Sequence, residues 1–338
     1  MACRKVLLTV MVQGRFHDPV LVAEIVAFLV RRPGIYVDGT LGGGGHSLAF
    51  LRALREAGYS EQSLLTGIDQ DSAALEEAAR TLRGYEEHSV LVKGNFQDIE
   101  AIITAVCGNK GLKPRVAGIL LDLGVSSFQL DTPERGFSYL REGPLDMRMN
   151  SDAPLSAGDI VNSYEEKELA RLIYRYGEEP GSRSIAKAIV AWRQKNGSVN
   201  STKELADLIR RNAYGGEKVI KTLSRVFQAL RIEVNGELDV LRRALCDGID
   251  CLDDYGRMAV ISYHSLEDRI VKTVFAEKAR SDWGPKGVAM REPLAYGTVT
   301  LVTRKPLTAS VEEIEANPRA RSAKLRIIEK IPRKDHHE

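Results

Sequence analysis

Asp38-Gly39-Thr40-Leu41-Gly42-Gly43-Gly44-Gly45-His46 is the stretch on which the fold turns. It follows the short apolar run Ile35-Tyr36-Val37 and precedes a helical pattern from Ser47 to Ala57. Glycines between a strand and a helix let the backbone turn sharply and approach a ligand closely at the carboxyl edge of a parallel sheet. A Walker loop needs Gly-Lys, a dipeptide the chain lacks. The dinucleotide fingerprint needs glycines at i, i+2 and i+5, and no register of this loop supplies all three. A pyrophosphate is therefore not the obvious occupant.

The same grammar repeats downstream. Leu64 to Ile68 ends in Asp69 and leads to a helix from Ser72 to Leu82. Val90-Leu91-Val92 ends near Asn95-Phe96, with a helix from Ile99 to Val106, and Val116 to Leu121 ends in Asp122. Upstream, Asp18-Pro19 reads as the cap of a helix reaching Val30, with Asp as the N-cap acceptor and Pro in the first turn. Strand and helix in strict alternation predict a parallel sheet with helices on both faces. From Pro133 to Thr222 no strand is read, and helices are predicted over Glu165 to Tyr176, Arg183 to Lys195, and Lys203 to Arg211 with Thr202 as N-cap. Strand character returns at Arg257 to Tyr263 and Thr298 to Thr303. The expected organisation is an α/β sheet interrupted by an all-helical insertion, with limits 1–133, 134–222 and 223–338. Two independent domains in series would leave the first sheet with four strands only.

Composition sets the bounds. The 338 residues are 43% hydrophobic and 28% charged, a globular balance with room for a full core. Lys+Arg 48 against Asp+Glu 46 excludes a uniformly basic coat but not a local patch. Cys3, Cys107, Cys246 and Cys251 are too few and too scattered for a disulfide framework, and no Cys-x-x-Cys pair exists to hold zinc, so no metal is expected. Arg4-Lys5 before Val6 to Val12 resembles a secretory signal only faintly, since the run is short and lacks a small-x-small cleavage site. No stretch approaches the ~18 apolar residues of a membrane span. A soluble, cytoplasmic protein is expected.

Asp69, closing the strand after the glycine loop, stands where a carboxylate accepts both ribose hydroxyls of a bound nucleoside. A ribose-binding acid beside a glycine loop without a phosphate fingerprint points to S-adenosylmethionine. Asn95-Phe96 would flank the adenine, and Asp122 would face the methionine end. Taken singly, an acid at a strand end is a helix cap; four successive strand ends with suitable groups argue for a site.

The sequence resembles the bacterial 16S ribosomal RNA cytosine-N4 methyltransferases of the RsmH/MraW type, from His17 to about Lys330. The motifs that carry the resemblance are long. They include His17-x-Pro19-Val20-Leu21, Asp38-Gly39-Thr40-x-Gly42-x-Gly44-Gly45-His46-Ser47, and Leu120-Leu121-Asp122-Leu123-Gly124-Val125-Ser126-Ser127-x-Gln129-Leu130. Further on come Gly143-Pro144-Leu145-Asp146-Met147-Arg148-Met149, Tyr176-Gly177-Glu178-Glu179, Ser262-x-His264-Ser265-Leu266-Glu267-Asp268-Arg269 and Asn317-Pro318-Arg319-Ala320-Arg321-Ser322. The resemblance implies a Rossmann-like methyltransferase sheet and a cofactor site at Gly44, Gly45, His46, Asp69, Phe96, Asp122 and Gln129. It implies N4-methylation of cytosine 1402 in the decoding centre, with 16S ribosomal RNA in the small subunit as partner. Family members often read His-Pro-Ala-Thr-Arg before Phe-Gln; here the stretch is Lys221-Thr222-Leu223-Ser224-Arg225, keeping only the arginine.

Asp122 and His264 are the candidate catalytic residues. Asp122 ends the fourth strand, where cytosine-N4 DNA methylases carry a Ser/Asp-Pro-Pro-Tyr stretch that this chain lacks. His264 follows a strand, although Ser265-Leu266-Glu267-Asp268 also reads as a capping box for a helix running to Phe275. No Gly-x-Ser-x-Gly elbow supports a hydrolase, and the deaminase zinc signature is absent.

Charge suggests where RNA binds. From Arg183 to Arg225 there are ten basic residues against three acidic ones, a local net of +7. Arg183, Lys187, Arg193, Arg210, Arg211, Lys218, Lys221 and Arg225 are the candidate phosphate contacts. The tail Arg319, Arg321, Lys324 and Arg326 extends the patch, and Phe128, Arg135, Phe137, Tyr139, Arg141 and Arg148 would stack on unpaired bases. Asp146 is expected to pair with Arg148. Two rivals remain: a small-molecule methyltransferase, which needs no such patch, and a non-catalytic ribosomal RNA-binding assembly factor. A homodimer is compatible with the sequence.

Overall fold

The computed structural model describes residues 19–213, 216–284 and 291–332, without the side chains of Ser127, Gly216, Glu217 and Lys218. The expectations for Cys3, the Val6 to Val12 run, His17, Asp18 and the Lys218 side chain lie outside the described residues. The chain forms two compact units, one from the residues up to Gly124 with those from Val240 on, the other Val125–Asp239. Each is taken by itself.

The first unit is built on a seven-stranded sheet: β1 (Ile35–Asp38), β2 (Leu64–Asp69), β3 (Ser89–Lys93), β4 (Val116–Asp122), β5 (Leu252–Ser262), β6 (Val299–Leu301) and β7 (Lys324–Lys330). Their spatial order is β3-β2-β1-β4-β5-β7-β6. The first five run parallel, and β7 enters antiparallel between β5 and β6. Alternation along each strand sends side chains to two separate cores. Ile35, Val37, Ile119, Leu121, Met258 and Val260 join one, with the helices Ile99–Asn109 and Glu237–Cys251 contributing Ile103 and Ile249. Tyr36, Leu120, Ala259 and Ile261 join the other, with Leu51 and Leu54 of the helix Gly45–Glu56. Both faces are covered, which is why the parallel strands read as apolar runs.

The strands and helices of the expected α/β alternation are present, most ends shifted by a residue or two, while the helix from Ile99 runs three residues further to Asn109 and β5 begins five residues earlier, at Leu252. β7 lay hidden in what reads as a basic tail. Arg326 is buried, not a surface cation, and its guanidinium meets Asp268 at 2.7 Å. Between β4 and β5 the register slips at Val116 and Gly118, and Tyr255 adopts a left-handed φ of 60° in the extra residues of β5.

The second unit is helical: Ala157–Ser163, Glu166–Gly177, Ser182–Asn196, Thr202–Asn212 and Gly216–Asn235 close around Ile160, Leu169, Ile173, Ile185, Leu205, Ile209 and Leu230. Its limits differ from 134 and 222, because Gly216–Asn235 runs unbroken through the expected boundary. Ser201, not Thr202, caps Thr202–Asn212 by accepting the Glu204 N–H. Thr202 is fully buried, and its Oγ1 accepts the Gly143 N–H at 3.0 Å and donates to the Arg141 carbonyl at 2.8 Å.

Candidate active site

The strand order reverses between β1 and β4, so the loops leaving their carboxyl ends diverge and open a crevice. The glycine loop fills the β1 side of that crevice and is stitched to its neighbours. Gly39 N–H bonds the Leu120 carbonyl (2.9 Å) and Leu41 N–H the Ile68 carbonyl (3.0 Å). Gly42 N–H donates to Asp69 Oδ2 at 2.9 Å, and Asp122 N–H donates to Thr40 Oγ1 at 2.6 Å. The loop thus spans from the end of β2 to the end of β4. Gly44 sits at φ 80° as the N-cap of Gly45–Glu56, and among the described residues no side chain caps that helix. A Cβ on Gly39 would lie 2.5 Å from Leu121 Cδ2 and 3.3 Å from Phe96 Cβ, so Phe96 borders the loop.

Five polar residues converge there. Asp38 is buried, accepts from Ser47 Oγ (2.8 Å) and Thr40 N–H (3.2 Å), and is pushed up from the usual carboxylate range by burial. Asp69 accepts a second backbone N–H, from Asp71, at 2.9 Å. Burial nevertheless raises its pKa to about 6, the two amide donors opposing the shift. Asp122 receives the Tyr263 hydroxyl on Oδ1 at 2.8 Å, and His46 Nε2 lies 3.4 Å from its Oδ2. Burial, then the Asp122 charge, push the Tyr263 phenol far above its ordinary value, so it stays a proton donor. Both ring nitrogens of His46 are buried and lack a hydrogen-bond partner among the described residues. Buried polar atoms without partners are uncommon and fit a site whose occupant completes them.

The remaining candidate residues have these surroundings. His264 is the N-cap of Ser265–Ala279: its Nδ1 accepts the Glu267 N–H at 3.4 Å, and Nε2 stands 3.0 Å from Glu267 Oε1. Glu267 Oε2 in return accepts the N–H of Tyr263 (2.8 Å) and of His264 (3.3 Å). The box therefore begins at His264, one residue before the expected Ser265. Gln129 belongs to the helical unit, where its Oε1 accepts the Ser126 N–H at 3.1 Å in a capping box. Arg193 is partly buried, donating at 2.6 Å to the carbonyls of both Val161 and Tyr164, so it closes a helix end instead of facing solvent. Arg183, Lys187, Arg211 and Lys221 are exposed; Arg210 pairs with Asp207 at 2.6 Å and Arg225 with Glu179 at 3.3 Å.

The loop expected to stack on bases is largely structural. Phe137 is buried, Arg135 donates to the Arg148 and Met149 carbonyls, Tyr139 packs edge-on against Phe227, and Arg141 binds Asp131. Arg148 grips Asp146 through two nitrogens, at 2.9 and 2.6 Å, as expected of that pair. Sequence reasoning missed Tyr263 and Thr40, which hold Asp122. The signal for Tyr263 was its place one residue beyond β5, beside the end of β4.

Residues 14–331 match the model of the MraW methylase family. The chain belongs to this family. It is 73% identical over 322 residues to the ribosomal RNA small subunit methyltransferase H of Pelodictyon phaeoclathratiforme, covering 95% of this chain and 97% of that protein. The namesake protein of Chlorobium phaeobacteroides (strain DSM 266) is 63% identical over 321 residues, covering 95% and 98%. A solved rRNA methylase from Streptococcus thermophilus aligns with 91% of this chain and 93% of its own, at 12% identity and a TM-score of 0.38.

The cofactor of this MraW-family methylase is S-adenosylmethionine, and the crevice suits it. Asp69 offers two acceptor oxygens, Gly44 leaves the backbone open to close approach, and His46 brings two ring nitrogens that make no hydrogen bond to a described residue. Among the described residues no helix is long and apolar enough to cross a membrane.

Proposed function

We propose that this methylase transfers a methyl group to N4 of cytosine 1402 in 16S ribosomal RNA of the small subunit. The observation carrying the reading is Asp122, a carboxylate at the head of β4 whose orientation is fixed from three sides. Thr40 anchors its backbone, Tyr263 its Oδ1, and His46 flanks its Oδ2. Cytosine N4 is a poor nucleophile because its lone pair is delocalised into the ring. An acceptor on its amino protons localises that pair, and Asp122 Oδ2 is the acceptor in this reading.

S-adenosylmethionine supplies a methyl group already activated on a sulfonium, so the protein's task is proximity and alignment. Asp69 holds the ribose hydroxyls, Gly44 and Gly45 admit the methionine end, Phe96 borders the adenine, and His46 orients polar groups beside Asp122. The exposed Arg183, Lys187, Arg211 and Lys221, with Arg210 and Arg225, receive RNA phosphates; Lys218 belongs to the same stretch. A small-molecule methyltransferase has no use for a local excess of +7.

Purified protein given methyl-labelled cofactor and either small subunits or bare RNA, followed by digestion to nucleosides, tests the reading. Label is expected in N4-methylcytidine. Its absence from that nucleoside under both conditions overturns the proposal, and label in no nucleoside at all favours the assembly factor.

A further inference from the structure

Four of the large apolar side chains exposed in the described structure lie within the stretch 283–301: Trp283, Leu294, Tyr296 and Leu301, exposed by 54%, 61%, 61% and 39%. Single exposed hydrophobics are ordinary, but a concentration marks an interaction surface. These four sit where the chain leaves helix Ser265–Ala279 and returns to the edge strand β6. Its described residues are tied together. Asp282 and Ala295 form an antiparallel bridge, with 2.7 Å hydrogen bonds from Asp282 N–H to the Ala295 carbonyl and from Leu294 N–H to the Asp282 carbonyl. Thr298 N–H bonds the Lys278 carbonyl at 2.8 Å, and Gly297 approaches so closely that a Cβ there would meet the Ala279 carbonyl oxygen at 2.4 Å. The rings are thus held out by a fastened ribbon.

Cations frame it. Arg280 and Arg291 flank the bridge, and Arg304 and Lys305 follow β6; all four are exposed, and none makes an ion pair with a described residue. The acids among described residues 280–305 are Glu292 and Asp282, the latter accepting the Gly284 N–H at 2.9 Å. Uncompensated cations beside exposed tryptophan and tyrosine are the composition of a surface for single-stranded nucleic acid, where bases stack on rings and phosphates meet the cations. An apolar protein face would bury the same cations without partners, which is costly. We propose that this ribbon of the catalytic unit binds an unpaired stretch of the RNA substrate, bases against Trp283 and Tyr296, phosphates against Arg280 and Arg291. The inference rests on the RNA reading above and adds a contact region outside the helical unit.

Trp283 reports on its own contact. With Trp192 changed to Phe, titrating the full chain with an oligouridine of about 12 nucleotides should quench the remaining tryptophan emission. By filter binding, Trp283→Ala and Tyr296→Ala should each weaken affinity about 10-fold, while Trp283→Phe stays near the parent. Because both side chains are exposed, melting temperature and S-adenosylhomocysteine affinity should not move. Unchanged emission, or parental affinity in the Trp283→Ala/Tyr296→Ala double variant, overturns the proposal. So does weaker binding of the variants to assembled subunits with unchanged oligouridine binding, which would give the ribbon a protein partner. Quenching accompanied by label in a nucleoside other than N4-methylcytidine supports the ribbon while overturning the N4 reading, so the two fail separately.

Discussion

In the proposed function Asp69 carries two tasks that pull against each other. Its pKa of about 6 means that burial opposes the ionised form, yet a pair of ribose hydroxyls is best accepted by the carboxylate. Cofactor affinity should therefore climb about 10-fold per pH unit below about 6 and level off above it. Calorimetry of S-adenosylmethionine binding from about pH 4.5 to about pH 7.5 checks this, and Asp69→Asn should flatten the profile as well as lower it. The effect on the ligand-free fold has the opposite sign. A folded pKa above the unfolded one favours the protonated state, so the stability it brings is complete below the unfolded value of 3.8 and is lost as pH rises through about 6. At neutral pH the ligand-free Asp69→Asn protein should melt above the parent in differential scanning calorimetry. A lower melting temperature would contradict the assigned cause.

At the scale of elements, helix ends separate what the sequence displayed from what it concealed. The strands ending in Asp38, Asp69 and Asp122 were legible because buried parallel strands are apolar runs terminated by the groups they present. Caps were legible in kind but off by one, at Ser201 and His264, because the deciding quantity is a backbone torsion that adjacent Ser, Thr and His do not signal. His264 as a cap has a measurable signature. His264→Ala should cost about 1 kcal/mol in urea denaturation, and His264→Asn, itself a good cap, should recover stability and methyl transfer together. Loss of activity in His264→Asn at full stability would return the imidazole to the reaction. β7 was missed because Lys324, Arg326 and Lys330 advertise a solvated tail. Only the alternation of Leu325 and Ile327 with Arg326 and Ile328 betrays a strand packed on both faces, its one guanidinium neutralised by Asp268. The base-stacking loop was misjudged for the same reason. Arginine and aromatic residues suit RNA, but here they satisfy carbonyls and fill a core.

At the scale of the whole molecule, near-neutral composition conceals a charged segment on the helical unit. Reversing Arg210 and Arg211 to Glu should weaken RNA binding and lower the dependence of log affinity on log salt by up to about 2, roughly one for each phosphate that no longer meets an arginine. Titrations at several salt concentrations measure that slope, and an unchanged slope would remove these two arginines from the RNA surface. Arg211 is exposed and Arg210 is tied only to Asp207 at the surface, so the fold should survive the change.

The placement of β7 reaches beyond the finished protein. The last of the described strands is not appended to an outer margin but wedged between β5 and β6, where Leu325 and Ile327 complete one of the two cores. During synthesis the helical unit is fully available while the catalytic sheet still lacks an inner member. That sheet can close only once Lys324–Lys330 has been synthesised. A chain ending just short of Lys324 would thus lack the strand that covers β5, and β5 would offer unpaired backbone to whatever strand comes near.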